Sequence, residues 1–324
     1  GIVNVLNKEV SMSEFYYMNG KYVEAEKAFI PVRTHAFLYG TAVFEGIRAY
    51  WNEEEKQLYA FRVPEHYERL QRSAKIMCMD SPHTVEEYCD ITIKLLNKNN
   101  YKQDAYMRPT LYKSAQKVGP GLYDNEDSFL IITNKMGDYI DTSKGLKVCV
   151  SSWRRNSDNA IPPRAKVAGS YANAALIKTD AHNAGFDDAV VLDEDGQVTE
   201  GSAMNLFLVQ NGKLITTTKT DNILVGVTRN TVIEIARDVL GIETEERAID
   251  RTELYISDEA FYCGTGAQIS PITSVDNRKL GDGNVGPISK ELQKLYFDIV
   301  KGKVPKYKHL SLIHISEPTR LALI

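Results

Sequence analysis

The segment Ile161–Phe207 constrains the fold more than any other part of this chain. It opens with two prolines that end any preceding regular element, and a lone lysine, Lys166, follows among small residues. A helical stretch, a short apolar strand and a tight turn at Asp195-Gly196 come next, and the turn leads to Glu200 beside a glycine. The pattern therefore places an amine and a carboxylate on neighbouring elements.

The order of helices and strands predicts an α+β fold. Both kinds of element occur after residue 145, but they do not alternate as βαβ units, which disfavours a doubly wound nucleotide fold. A chain of 324 residues is long enough for two domains, and a polar segment with glycine and aspartate marks their division. We expect a small N-terminal α/β domain over residues 1–135, an interdomain loop over 136–144 and a larger C-terminal domain over 145–307.

The end of the chain does not continue the patterns that precede it. The segment Leu310–Ile324 has no helix caps and no amphipathic period, and it resembles the translation of a sequencing adapter. We therefore expect residues 308–324 to be a non-native tail without a place in the packed fold.

Composition excludes several classes of function. The net charge of −4 gives no sign of a nucleic-acid or anionic-membrane partner, and no apolar run approaches the length of a membrane helix. No signal sequence is recognisable at the start. The four cysteines form no CxxC pair and the six histidines form no ligand pair, so we expect reduced thiols, no metal and a cytoplasmic location.

Short-range signals define several elements of the first half. Asn19-Gly20 between two apolar runs predicts a hairpin, because both positions accept positive φ. The segment Val43–Tyr50 reads as one strand, and Pro64 opens an amphipathic helix. Thr84 followed by Glu87 is typical of a capping box at a second helix.

Lys166 and Glu200 each allow an ordinary and a chemical interpretation. Lys166 is either a surface loop lysine or an amine that attacks an aldehyde, for which desolvation among small and apolar groups helps it to lose its proton. Glu200 is either a solvated carboxylate at a strand end or the partner of a pyridinium nitrogen.

Two turns offer places for an anion. Gly226-Val227-Thr228 comes directly before a helix, where free N–H groups and the helix dipole favour phosphate, although an ordinary threonine N-cap explains the same residues. The small-residue turn Gly264–Ala267 presents backbone donors or is simply a tight turn.

Tyr106 and Arg108 alternate in a strand and so share one face. Arg108 either recognises a carboxylate through its guanidinium fork or belongs to an internal salt bridge. Arg69, on the helix that begins at Pro64, reads as a solvated helix charge when taken alone.

Taken together, these motifs resemble the branched-chain amino acid aminotransferases among the class IV, fold-type IV pyridoxal-phosphate enzymes. The resemblance extends from about Phe15 to about Phe297. The motifs that carry it are YGTAVFEGIRAY (Tyr39–Tyr50), AYMRP (Ala105–Pro109), AKVAGSY (Ala165–Tyr171), VVLDEDGQVTEGSAMNLF (Val190–Phe207), GVTR (Gly226–Arg229) and CGTGAQISPI (Cys263–Ile272).

The resemblance implies a two-domain fold like that of D-amino acid aminotransferase, with pyridoxal 5'-phosphate at the domain interface and Lys166 as the catalytic Schiff-base lysine. Glu200 would contact the ring nitrogen, Tyr171 the ring's phenolic oxygen, and Leu224 the ring face. The phosphate would be held by Arg69, Val227, Thr228 and Thr265. The substrate-binding positions would be Tyr39, Phe44, Gly46, Tyr106, Arg108, Tyr139, Gly266 and Ala267, with Tyr171 also beside the substrate side chain.

The implied activity is transamination between L-leucine, L-isoleucine or L-valine and 2-oxoglutarate. The resemblance also implies a homodimer or a higher homo-oligomer, in which a loop of one subunit reaches the site of the other. Sister activities on the same fold are D-amino acid transaminase, R-selective amine transaminase and aminodeoxychorismate lyase. Tyr106-Met107-Arg108 favours the branched-chain activity. A non-catalytic ligand-binding relative is the alternative of a different class, and it would have no need of Lys166.

Overall fold

The structure, a computed structural model, describes residues 14–136 and 143–313. The chain forms two compact units, one of residues 1–137 with 300–324 and the other of residues 138–299. The first division falls inside the predicted loop 136–144. The predicted end of the C-terminal domain at residue 307 does not match the structure. The chain joins the first unit from residue 300 onward.

Strands and short helices alternate irregularly along the chain. The α-helices are α1 (His35–Tyr39), α2 (Val63–Ile76), α3 (Val85–Asn99), α4 (Tyr171–Asn183), α5 (Val227–Leu240), α6 (Glu253–Ile256) and α7 (Pro287–Val300). The strands are β1 (Phe15–Met18), β2 (Lys21–Glu24), β3 (Ala42–Phe44), β4 (Ile47–Asn52), β5 (Gln57–Phe61), β6 (Ala105–Lys113), β7 (Asp127–Lys135), β8 (Leu146–Arg154), β9 (Asp188–Leu192), β10 (Val198–Gly201), β11 (Asn205–Gln210), β12 (Lys213–Thr216), β13 (Thr244–Glu246), β14 (Glu259–Gly264), β15 (Gln268–Val275), β16 (Arg278–Lys279) and β17 (Ser311–Ile313). This order confirms the predicted α+β class.

The described part of the first unit contains an eight-stranded antiparallel sheet. Its order is β17-β5-β4-β6-β7-β1-β2, and β3 also pairs with β6. The predicted hairpin is present as β1 and β2, with Asn19 and Gly20 both at positive φ. The predicted single strand Val43–Tyr50 is wrong, because Glu45 and Gly46 interrupt it between β3 and β4. The Glu45 side chain hydrogen-bonds to residues of α2, which accounts for the break.

The final described residues extend this sheet. Ser311, Leu312 and Ile313 pair antiparallel with β5, and Arg62 N donates to Leu310 O. The expectation that residues 308–324 have no place in the fold is therefore wrong for residues up to 313, since backbone hydrogen bonding alone suffices to add an edge strand. The remainder of the predicted tail lies outside the described residues, and its foreign origin stays a prediction.

The described part of the second unit contains a nine-stranded mixed sheet in the order β10-β9-β8-β15-β14-β11-β12-β13, with β16 beside β15. Strand β8 pairs in parallel with both β9 and β15. Buried aliphatic side chains from β8, β9, β11 and β15 form the main core cluster. A smaller cluster packs Ile177 and Ala181 of α4 against β9. This packing fixes the loop between β8 and α4, which contains Lys166.

Among the helices of residues 14–136 and 143–313, none has the length and apolarity required to cross a membrane.

Candidate active site

Lys166 lies in the loop that connects β8 to α4. Its side chain is half-buried, and its Nζ donates to the hydroxyl of Tyr171, the first residue of α4, at 3.0 Å. The same Nζ lies 5.5 Å from the centroid of the Tyr171 ring. The structure thus brings two predicted site residues together and places the amine against a hydroxyl, which does not fit the interpretation of a solvated surface lysine.

Glu200 lies on β10 and is only 6% exposed, so the interpretation as a solvated carboxylate is wrong. A β-bulge between Val198 and Glu200 shifts the pairing with β9, and bulges of this kind re-aim side chains. Glu200 Oε2 accepts from Asn205 Nδ2 at 2.9 Å, and Glu200 Oε1 lies 3.6 Å from Arg155 Nε. The second distance makes an ion pair that is too long for a hydrogen bond.

Arg155 was not singled out from the sequence, although it directly follows β8. It is buried and donates from Nη2 to the carbonyl oxygens of Gly201 and Ser202, and from Nη1 to Asn173 Oδ1 at 3.1 Å. These bonds fix the cation beside Glu200. Arg155 lies in the polar run Arg154–Asn159, so no local pattern in the sequence indicated that it would be buried.

The start of α5 has the properties of an anion site. Its N-cap, Gly226, has no side chain to cap the helix, and its first turn contains no acidic residue. Thr228 is the second helical residue and is buried. The third, Arg229, is fully buried and donates to Thr217 O at 3.0 Å and to Glu246. The positive end of the helix dipole favours an anionic ligand there.

Helix α7 offers a contrast within the same unit. There the Glu259 carboxylate accepts from Ile288 N at 3.2 Å and from Ser289 N at 2.9 Å, so a side chain already supplies the negative charge. A side-chain carboxylate therefore caps the start of α7, whereas no side chain among the described residues caps the start of α5.

The turn between β14 and β15 contains three predicted site residues. Thr265 and Gly266 are half-buried and Ala267 is buried, while Gln268 begins β15 at a φ of 59°. This left-handed conformation is uncommon for a residue other than glycine and fixes the course of the tight turn.

In the first unit, the structure groups Phe44, Gly46, Tyr106 and Arg108. Arg108 Nε donates to Tyr106 Oη at 3.0 Å, and the guanidinium carbon lies 4.6 Å from the Phe44 ring centroid. A Cβ on Gly46 would lie 2.8 Å from Tyr106 Oη, so the glycine makes room for the tyrosine. The predicted shared face of Tyr106 and Arg108 is confirmed. Arg108 is exposed, which does not fit an internal salt bridge.

Arg69 is buried, so its interpretation as a solvated helix charge is wrong. Its Nε donates to Glu45 Oε2 at 2.8 Å and its Nη2 to Glu45 Oε1 at 2.6 Å, while His66 Nδ1 lies 2.7 Å from Glu45 Oε1. Burial opposes ionisation of Glu45, but the charges and hydrogen bonds of Arg69 and His66 outweigh it and lower its pKa to about 2. Glu45 and His66 were not singled out from the sequence.

The remaining predicted residues are Tyr39, Tyr139 and Leu224. Tyr39, at the end of α1, is partly exposed, and its hydroxyl accepts from Gly119 N at 2.8 Å. Tyr139 lies outside the described residues, as does most of the predicted interdomain loop. Leu224 is half-buried, and its carbonyl accepts from Asn205 Nδ2 at 2.8 Å.

Comparison with known proteins decides the family. The sequence profile described as "Amino-transferase class IV" matches residues 42–275. This chain belongs to the class IV aminotransferase family. The profile spans all the site residues described above except Tyr39, which precedes it.

Relatives of this class IV aminotransferase cover nearly its whole length. A probable branched-chain-amino-acid aminotransferase of Aquifex aeolicus is 48% identical over 301 residues, which are 93% of this chain and 96% of the relative. The branched-chain aminotransferase of Thermoproteus uzoniensis, solved with norvaline, superposes with a TM-score of 0.89 at 40% identity and covers 94% of this chain and 100% of that one. The branched-chain amino acid aminotransferase of Thermobaculum terrenum, solved in its PLP-form, gives a TM-score of 0.90 at 37% identity and covers 94% of this chain and 99% of that one.

Proposed function

We infer that this chain transfers the amino group of L-leucine, L-isoleucine or L-valine to 2-oxoglutarate, and forms branched 2-oxo acids and L-glutamate with pyridoxal 5'-phosphate as cofactor. The observation that carries this inference is the contact between the Lys166 amine and the Tyr171 hydroxyl, in a unit that also buries the carboxylate of Glu200. Relatives that are named for this activity and match nearly the whole chain support it.

The residues present fit the cofactor. Lys166 provides a primary amine for its aldehyde, Glu200 provides a buried carboxylate for its ring N–H, and the start of α5 provides N–H groups and a threonine hydroxyl for its phosphate. Thr265 and Arg69 are proposed as further phosphate ligands, and Leu224 as the residue that packs on the ring. When bound, pyridoxal phosphate supplies an aldehyde that joins a primary amine and a protonated ring that accepts electrons from the adjoining carbon.

Lys166 is the proposed general base and acid. Its Nζ would take the proton from the substrate Cα, and the resulting ammonium would return it to the cofactor carbon that is bound to the substrate nitrogen, before water releases the 2-oxo acid. The Tyr171 hydroxyl accepts the hydrogen bond from this Nζ at 3.0 Å and thereby orients it. The second half of the reaction uses the same two groups in the reverse direction, with 2-oxoglutarate as the amino acceptor.

Substrate recognition is proposed for the first unit. The buried Phe44 ring lies beneath the exposed Arg108, and this pair is proposed to contact the aliphatic side chain of the substrate. The guanidinium fork then pairs with the side-chain carboxylate of glutamate or 2-oxoglutarate, which would be strongly disfavoured in an apolar site without a partner. In the first unit the Tyr106 hydroxyl is proposed to bind the α-carboxylate, and in the second unit the backbone N–H groups of Gly266 and Ala267 are proposed as substrate ligands. Gly46, Tyr39, Tyr139 and Tyr171 are proposed to line the remaining substrate site.

A homodimer is proposed because the first unit exposes several large apolar side chains. Phe29, Val32 and Phe37 are 78%, 78% and 68% exposed, and Val118 and Tyr123 are 74% and 76% exposed. The segments that contain them are joined by the hydrogen bond from His35 N to Ala115 O. Exposed apolar groups of this kind mark association surfaces, and sedimentation of the protein with and without Phe37→Asp tests the assignment.

A cytoplasmic location is proposed because all four cysteines are free thiols.

Borohydride reduction of the protein with bound pyridoxal phosphate tests the role of Lys166. Peptide mass spectrometry should find the cofactor attached to Lys166, and Lys166→Ala should lose about 1,000-fold or more of the transamination rate from leucine to 2-oxoglutarate. Lys213→Ala, which removes an exposed lysine on β12, serves as the matched control and should leave the rate unchanged. Attachment at another lysine, or turnover retained by Lys166→Ala, would refute the assignment.

A further inference from the structure

Asn205, the first residue of β11, lies where three parts of the second unit meet. Its Nδ2 donates to Glu200 Oε2 at 2.9 Å and to Leu224 O at 2.8 Å. Its Oδ1 faces Gly226, the N-cap of α5, so closely that a Cβ there would overlap it. One side chain therefore connects the buried carboxylate, the loop before α5 and the start of α5.

The amide group is the chemical requirement at this position. Asn205 is 5% exposed, and both groups that face its Nδ2 are acceptors that need a donor. An ionised aspartate of the same shape has no donor, and it would set a second carboxylate against Glu200 at hydrogen-bonding distance. Two carboxylates so close do not both ionise, and they would share a proton.

We propose that Asn205 is a positioning residue of the cofactor site, an inference that rests on the proposed role of Glu200 at the ring nitrogen. Asn205 acts through Glu200 and Gly226. It holds the carboxylate that pairs with the ring nitrogen at a fixed spacing from the helix start that binds the phosphate. Loss of the amide releases Glu200 on one side and the loop Leu224–Gly226 on the other, so both ends of the cofactor lose their alignment.

A thermal double-mutant cycle on the cofactor-free protein tests the contact itself. Asn205→Asp should lower Tm by about 5 °C, because it leaves buried acceptors without a donor. Adding Glu200→Gln should recover at least half of this loss, because the new amide at position 200 donates to the new carboxylate at 205. If Asn205→Asp alone does not fold, a folded double variant with Glu200→Gln supports the contact in the same way. A double variant whose loss equals the sum of the two single losses would overturn the contact.

A second pair of variants tests the positioning role. Asn205→Ser adds no charge and leaves room for water, and its matched control is Asn211→Ser in the exposed turn after the same strand. Asn205→Ser should weaken pyridoxal phosphate binding at least about 10-fold and displace the pH midpoint of the bound-cofactor absorbance, whereas the control should do neither. If Asn205→Ser lowers Tm but leaves cofactor binding and the absorbance midpoint unchanged, Asn205 has only a structural role and the proposal is wrong. If the unmodified protein itself takes up no pyridoxal phosphate, the proposed function fails, and the thermal cycle still decides the Asn205–Glu200 contact.

Discussion

At the scale of single residues, the buried carboxylates Glu200 and Glu45 each have specific partners. Glu200 lies against Arg155 and Asn205, and Glu45 accepts two hydrogen bonds from Arg69. A buried charge whose partner is removed costs far more than an exposed one, since the remaining charge has neither water nor a counter-ion. The two groups are therefore sensitive points for stability.

Glu45→Gln should lower the free energy of unfolding at pH 7 by about 3 kcal/mol, because it leaves Arg69 buried without its counter-charge. Since the pKa of Glu45 is lowered from the ordinary 4.5 to about 2, the stabilisation is fully present above pH 4.5 and is lost as the pH falls through 2. Urea denaturation at several pH values measures the free energy of unfolding of both proteins. Glu24→Gln, in a largely exposed pair with Lys27, should change the free energy by less than about 0.5 kcal/mol. Equal effects of the two changes would contradict this account.

Arg108→Leu should separate the two classes of substrate. The change keeps an apolar side chain on Phe44 but removes the guanidinium, so kcat/KM for glutamate should fall about 100-fold while that for leucine falls less than about 5-fold. Arg278→Leu removes an arginine that stacks on Tyr255 at 4.2 Å and should leave both values unchanged. Equal losses for glutamate and leucine in Arg108→Leu would remove its proposed role.

The sequence identified residue types better than it identified their surroundings. Lys166 and Tyr171 are five positions apart, so their contact follows from local geometry across the start of α4. Arg155 and Glu200 are 45 positions apart, and Glu45 meets Arg69 across 24, so these contacts depend on tertiary packing that no local pattern encodes. The burial of Glu200 and Arg69 therefore had to come from the structure.

At the scale of elements, the starts of α5 and α7 have different roles. The start of α5 is proposed to bind a ligand, whereas a side chain of the protein caps the start of α7. Both begin after a glycine at which a Cβ would overlap a polar side chain, Asn205 for Gly226 and Glu259 for Gly286. The capping box predicted at α3 is partly present, since Glu87 N donates to Thr84 Oγ1 at 3.2 Å. Caps and turns of this kind follow from short sequence patterns, whereas the break at Glu45 depends on a distant helix and was missed.

Gly226→Ala and Gly286→Ala form a matched pair. Both should lower Tm, because the added methyl displaces a buried polar group in each case. Only Gly226→Ala should also weaken pyridoxal phosphate binding, by about 10-fold, since α5 and not α7 is the proposed phosphate site. Isothermal titration measures the binding. A similar loss of binding in both variants would show a general loss of stability and contradict the assignment of the phosphate to α5.

At the scale of the whole molecule, the motifs identified the family because they are spread from residue 39 to residue 272. The family profile covers nearly the same span. The course of the chain after residue 300 was not predictable from these motifs, because it lies beyond them and joins the first unit through backbone pairing with β5. We propose that the substrate preference of this chain depends on Tyr106, Arg108 and their neighbours.

The rate with a panel of amino donors tests the proposed branched-chain activity. The protein with bound pyridoxal phosphate would receive L-leucine, D-alanine or an R-configured primary amine in turn, and glutamate formed from 2-oxoglutarate would be measured. We expect kcat/KM for L-leucine to exceed the other two by at least about 100-fold, because the proposed substrate site at Phe44 and Arg108 accepts a long aliphatic side chain or a carboxylate. A preference for D-alanine or for the R-amine would contradict the proposed branched-chain activity.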